Sequence, residues 1–175
     1  MQKRILQKAR KITLVILDVD GVLTDGSLDY GPKGEALKRF YVRDGAAINW
    51  LQRAGIEVAL LTGRQSPQVT ARARDLGLKL VIQSALKKLP AFEKLLKKTR
   101  RSPAEVAYMG DDLLDLPVLR RVGLSLAPAD AVAEVRACVD WVSSLPGGHG
   151  AVREAGELIL EAQDQLAKII SPYSE

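Results

Sequence analysis

The chain has 175 residues, of which 47% are hydrophobic and 27% charged, enough to build one domain around its own core. No apolar stretch approaches the ~20 residues of a membrane helix, so a membrane span is not expected, and the single Cys138 excludes an internal disulfide and a cysteine metal cluster. A net charge of +5 suits an anionic small substrate, nucleic acid or merely solvated helix faces, and charge alone does not choose among them; with only 5% aromatic residues for base stacking, nucleic acid is not an expected partner.

The basic start, MQKRILQKARK, precedes a short apolar run without a cleavage-site pattern and reads as a cytoplasmic leader helix, not a signal peptide. The lone cysteine also points to a reducing, cytoplasmic setting. Lys and Arg cluster at residues 3–11, 87–101 and 120–121, where solvated helix faces account for them.

In chain order, the predicted strands are 12–17, 56–61, 78–82, 106–110, 124–127 and 140–143. Predicted helices fall at about 44–54, 66–76, 88–99, 113–121, 130–136 and 150–169. Short, continuously apolar strands alternating with amphipathic helices predict an α/β fold, a Rossmann-like parallel sheet with helices on both faces. Boundary signals agree: Ser66-Pro67 as N-cap and first helical residue, Ser102 to Glu105 as a capping box, and Gly55 and Gly77 as left-handed helix ends. Residues 26–42 interrupt the alternation and predict a β-hairpin around Gly31-Pro32-Lys33-Gly34, too short for a cap domain. The whole of 1–175 is read as a single domain, with a tail and C-terminal helix over 146–175.

Ligands of an open parallel sheet bind beyond the carboxyl ends of its strands. There the sequence places DVDG (18–21), TGR (62–64) and GDD (110–112), with Lys87-Lys88 opening a helix nearby. Asp18 and Asp111 offer oxygen ligands to a hard ion such as Mg²⁺. Thr62 and the amides near Gly63 can donate to phosphate oxygens, and Lys88 can neutralise phosphate and nucleophile. Asp18 can then attack phosphorus, while Asp20, two residues on, can protonate the leaving oxygen and later deprotonate water.

DVDGVLTDG, LLTGR, the downstream lysine and GDDLLD resemble the four motifs of the haloacid dehalogenase-like superfamily, in its phosphatase branch. That resemblance implies Asp18 as nucleophile and metal ligand, Asp20 binding metal through its carbonyl, and Asp111 completing the protein ligands. It also implies Asp112 supporting the metal through water and Asp115 orienting Lys88 or the metal shell. Lys88 is preferred over Lys87 because KLPAF matches the family's lysine-led helix start. The hairpin, FYVRDGAAI and GGHGAVREAGELIL are similar to the capless 3-deoxy-D-manno-octulosonate 8-phosphate phosphatases. These assemble as tetramers in which a neighbouring subunit helps cover the site. Their tail commonly reads GGRGAVRE, so His149 stands where an arginine is usual.

Gly63, Arg64, Arg43 and His149 are read as candidate substrate-binding residues, Arg64 through a bidentate contact with the substrate carboxylate. Other readings stay open: Arg43 and Asp44 at the start of their own helix, Arg64 in a structural salt bridge, Asp115 at the surface, Thr62 as a helix-entry residue, and His149 on a mobile tail. The expected function is a Mg²⁺-dependent phosphatase of a 3-deoxy-2-keto sugar acid phosphate in lipopolysaccharide precursor synthesis. The alternatives are a nine-carbon nonulosonate 9-phosphate phosphatase, a phosphomutase and a non-catalytic assembly module.

Overall fold

Every apolar run that ends in a polar cluster forms a strand of one parallel sheet in the computed structural model, which describes residues 2–32 and 34–173. The chain opens with helix α1 (Gln2–Ala9) and strand β1 (Leu14–Leu17), then a hairpin of β2 (Asp29–Gly31) and β3 (Gly34–Leu37). Next come α2 (Val42–Arg53), β4 (Glu57–Leu61), α3 (Pro67–Asp75), β5 (Leu80–Ile82) and α4 (Lys88–Thr99). The second half holds β6 (Val106–Met109), α5 (Leu116–Leu119), β7 (Leu124–Ala127), α6 (Ala133–Arg136), β8 (Trp141–Val142), α7 (Ala151–Ala162) and α8 (Leu166–Ile170).

The sheet order is β5-β4-β1-β6-β7-β8, so the chain moves outward from β1 to one edge and then restarts on the other side of it. The strand order reverses between β1 and β6, and such a switch point opens a crevice at the strand ends. Leu17 is in register with Leu60 of β4 and Met109 of β6, which brings Asp18, Thr62 and Asp111 to the same edge of the sheet.

Side-chain alternation explains the two layers. Val15, Leu17, Val58, Leu60, Ala107 and Met109 face a core shared with α1, α2, α3 and α7. Leu14, Ile16, Ala59, Leu61, Val106 and Tyr108 face a second core built with α4, α5 and α6. The predicted fold class holds: a Rossmann-like α/β sheet covered on both faces, a two-stranded hairpin after β1, and no cap domain among the described residues. Lys33 of the predicted hairpin tip lies outside the described residues. No helix among the described residues is long and apolar enough to cross a membrane.

Three local expectations are corrected. The helix predicted over 150–169 is broken, because Asp164 adopts φ 56° and the amides of Asp164 and Gln165 turn back to Glu161 O and Leu160 O. That is a Schellman ending with aspartate in the position glycine usually takes. The helix predicted at 113–121 begins as a 3-10 turn over Leu113–Asp115 before α5. Ser66 precedes Pro67 as expected, but its hydroxyl makes no cap and meets Glu35 Oε1 at 3.1 Å instead. The capping box forms as read, the Ser102 amide donating to Glu105 Oε2 at 2.9 Å, and Gly55 and Gly77 have positive φ. The basic leader is a docked helix: Lys8 Nζ lies 2.5 Å from Asp140 Oδ1, while Ile5 and Ala9 enter the core.

Candidate active site

β1 ends at Leu17, and the next carboxylate, Asp18, is only 6% exposed. Its amide continues the sheet by donating to Met109 O at 3.1 Å, while its Oδ1 accepts the Val19 amide at 2.7 Å. The loop that follows is organised by Thr24, whose hydroxyl accepts the amides of Gly21 and Gly26 and donates to Val19 O. Sequence reasoning passed over Thr24, since a buried threonine in a turn carries no motif. Asp25 holds the Ser27 amide at 3.0 Å, a local turn leading into the hairpin.

Lys88 opens α4, the crossover from β5 to β6; its side chain is 3% exposed, and its Nζ lies 2.5 Å from Asp18 Oδ2 and 2.6 Å from Asp115 Oδ1. Lys87 is exposed, so the geometry separates the two adjacent lysines. Asp115 is fully buried, which removes its reading as a surface residue. Its Oδ1 accepts from Lys88 and from the Tyr108 hydroxyl, and its Oδ2 accepts the amides of Asp111 and Asp112 at 3.1 and 3.2 Å. A carboxylate has about four lone-pair sites, so all of Asp115's are occupied. Gly110 permits this arrangement: a Cβ there would lie 2.4 Å from Asp115 Cγ.

Asp111 differs. Its half-buried carboxylate accepts no hydrogen bond among the described residues, and carboxylate oxygens of Asp18, Asp111 and Asp115 lie within 4.8 Å of one another. Burial, then the neighbouring charges of Asp18 and Asp115, push the Asp111 pKa up to about 7. Burial likewise raises Asp18 to about 7 despite the opposing Lys88 charge. On Lys88, burial acts against the ammonium, but Asp18 and Asp115 outweigh it and leave the pKa above the ordinary lysine value. A buried and a half-buried carboxylate with free lone pairs and too little positive charge are a donor set that fits a hard divalent cation. Gly21 completes the cradle with φ 85°; a Cβ there would fall 2.0 Å from Asp111 Oδ2.

A cavity of about 300 Å³ collects Asp18, Asp20, Thr62, Gly63, Arg64, Lys88, Asp111, Asp112 and Asp115. Thr62 is buried, its Oγ1 accepting the Arg64 amide at 3.3 Å. The Asp112 carboxylate turns outward to accept the Leu113 amide at 2.7 Å. Arg64 borders the cavity but is bound in a salt bridge to Glu35 of the hairpin, 3.2 Å away.

Arg43 and His149 do not join the carboxylates. They line a different cavity of about 410 Å³ with Tyr41, Arg153 and Glu157, where the first turn of α2 meets the start of α7. Nor does Asp44 act on its own helix. It accepts the amides of Gly150 and Arg153 at 3.3 and 2.8 Å, capping α7 from across the fold. The tail before α7 is anchored, Gly148 donating to Val22 O at 2.9 Å and the His149 ring meeting Gly147 O at 2.9 Å.

Residues 34–123 match the haloacid dehalogenase-like hydrolase family. The chain is also 48% identical over 162 residues to the 3-deoxy-D-manno-octulosonate 8-phosphate phosphatase KdsC of Escherichia coli (strain K12), covering 93% of this chain and 86% of that one. This chain belongs to the haloacid dehalogenase-like hydrolases. Among solved members, the 3-deoxy-D-manno-octulosonate 8-phosphate phosphatase from Yersinia pestis is 45% identical with a TM-score of 0.91, over 93% of this chain and 88% of that one. The Moraxella catarrhalis enzyme, solved in complex with magnesium ion, phosphate ion and KDO, is 40% identical with a TM-score of 0.97, over 99% of this chain and 100% of that one. The family match spans the segments that carry Thr62, Lys88 and Asp111, and the longer alignments take in the rest of the fold.

Proposed function

We propose that this chain is a Mg²⁺-dependent phosphatase that hydrolyses 3-deoxy-D-manno-octulosonate 8-phosphate to the free sugar acid and inorganic phosphate. The observation that carries this reading is the meeting of Asp18, Asp111 and Lys88 at the switch point of the sheet, in a chain so similar to the enzyme solved with magnesium, phosphate and KDO. In the cell the reaction would supply the free sugar acid for lipopolysaccharide precursor synthesis.

Asp18 attacks phosphorus as the bond to the sugar oxygen breaks, and Asp20 gives that oxygen its proton. Water then attacks the aspartyl-phosphate, losing its proton to Asp20, and the electron pair of the breaking P–O bond returns to Asp18. Asp18, Asp111 and the Asp20 carbonyl would hold Mg²⁺, which supplies positive charge to the phosphate oxygens. Asp115, its own lone pairs filled, holds Lys88 against Asp18, and Thr62 with the Gly63 amide takes the remaining phosphate oxygens. Asp112 would support the metal through water. Arg64 meets the substrate carboxylate from the cavity rim.

Arg43 and His149 would contribute to a sugar-acid pocket only across a subunit contact, since they lie in the second cavity. A cytoplasmic homotetramer fits the exposed Leu28, Tyr30 and Leu37 of the hairpin, apolar side chains that a neighbouring copy would cover. The test is a phosphate-release screen with Mg²⁺ across eight- and nine-carbon keto-sugar-acid phosphates and hexose phosphates. Preference for the eight-carbon substrate supports the reading; preference for a hexose phosphate overturns it.

A further inference from the structure

Lys38 follows the hairpin strand β3, between the exposed Leu37 and Arg39, yet its own side chain is only 1% exposed. Its ammonium pairs with the Asp20 carboxylate and lies 3.3 Å from Glu35 Oε1. Glu35 in turn accepts from Ser66 Oγ at 3.1 Å and pairs with Arg64 at 3.2 Å, while Gln68 Nε2 donates to Ala36 O at 3.0 Å. The hairpin is thereby fastened to the loop that carries Thr62 and Gly63, and Lys38 reaches from it to the loop that carries Asp18. A solvent-facing lysine would hold its partner weakly; this one is enclosed, and the Asp20 side chain keeps 20% exposure toward the cavity.

We propose that Lys38 is a positioning residue that acts through Asp20, holding its carboxylate where it meets the leaving oxygen. The role rests on the phosphatase reading above. Lys38 is shielded from the cavity by the groups it binds, so it orients Asp20 without touching substrate. The hairpin then has a task inside its own subunit: it carries the cation that aligns the proton donor.

The consequence is a dependence on the leaving group. A sugar alkoxide must be protonated as it leaves, whereas a nitrophenolate leaves without a proton. The experiment compares kcat/KM for 3-deoxy-D-manno-octulosonate 8-phosphate and p-nitrophenyl phosphate in the wild type, Lys38→Met and Lys38→Gln, each with Mg²⁺ and with melting temperature recorded. Because kcat/KM reports only steps up to release of the alcohol, later hydrolysis of the phosphoenzyme does not mask the effect. Either folded variant should lose about 10- to 100-fold on the sugar phosphate and less than about three-fold on the aryl phosphate. In an Asp20→Asn background, Lys38→Met should add no further loss on either substrate.

Equal losses on both substrates would mark Lys38 as a structural anchor and overturn the proposal, as would unchanged turnover of the sugar phosphate. If both substitutions abolish folding, Lys38 is a folding residue and the proposal also falls. A folded wild type that releases no phosphate from the sugar phosphate refutes the phosphatase reading itself and takes the Lys38 role with it.

Discussion

The Lys88 ammonium lies 2.5 Å from Asp18 Oδ2, joining the residue that follows β1 to the start of α4, the crossover that leads to β6. Both side chains are nearly fully buried, so neither charge is compensated by solvent. Substituting Lys88 by Met leaves Asp18 and Asp115 facing each other without their cation. Breaking such a buried pair costs about 3–5 kcal/mol, and losing a preorganised cation beside a transferring phosphoryl group costs on the order of 100-fold in kcat. Urea melts and phosphate-release assays check both, with Lys87→Met as a control that changes neither by more than a small factor.

Metal and pH are linked through the same carboxylates. Burial raises both Asp18 and Asp111 to about 7, above the ~4 of an unfolded aspartate. Between those values the native state binds more protons than the unfolded state, so metal-free stability falls as pH rises and the loss is complete above the folded pKa. Mg²⁺ competes with those protons, and its stabilising effect grows over the same window. Melting temperatures in EDTA should fall from about pH 5 to about pH 7.5, and the rise produced by Mg²⁺ should be larger at the higher pH.

Gly21→Ala should strike the metal cradle. Its φ of 85° disfavours alanine, and the added Cβ would lie 2.0 Å from Asp111 Oδ2, so the carboxylate must move. The strain alone costs about 1 kcal/mol. Titration of melting temperature with Mg²⁺ should show an affinity weakened by about ten-fold or more, the equivalent of ~1.4 kcal/mol.

Asp44→Ala removes the cap of α7 rather than of its own helix. The amides of Gly150 and Arg153 would lose their acceptor, at a cost of about 1–2 kcal/mol. Denaturant melts should show that loss, with Asp44→Asn intermediate because its amide oxygen can still accept.

The layered sheet was legible because each strand is a short apolar run closed by a polar cluster, and LVIL, EVALL and VAYM carry that signal without ambiguity. The carboxylates of the site were legible for the same reason: strand ends place Asp18 and Asp111 together. Side-chain contacts that depend on how the loops fold back were not. Lys38 carries no motif, and only the hairpin folding back brings its ammonium to Asp20. Tyr108 sits in the core within the apolar run VAYM, where nothing marks that its hydroxyl ends on Asp115. In GDDLLD, a 3-10 turn brings the last aspartate under the first two, a bend that spacing alone does not specify. The stop at Asp164 was hidden because a left-handed aspartate leaves no glycine to read.

The central claim is that Asp18 is the nucleophile, and trapping the phosphoenzyme tests it most directly. Wild-type protein with Mg²⁺ is mixed with 3-deoxy-D-manno-octulosonate 8-phosphate carrying a radiolabelled phosphate, quenched in acid within the first turnover, and digested for peptide mapping. The label should sit on the peptide containing Asp18 and be absent from Asp18→Asn. Label on another residue, or phosphate release by Asp18→Asn at the wild-type rate, would contradict the account.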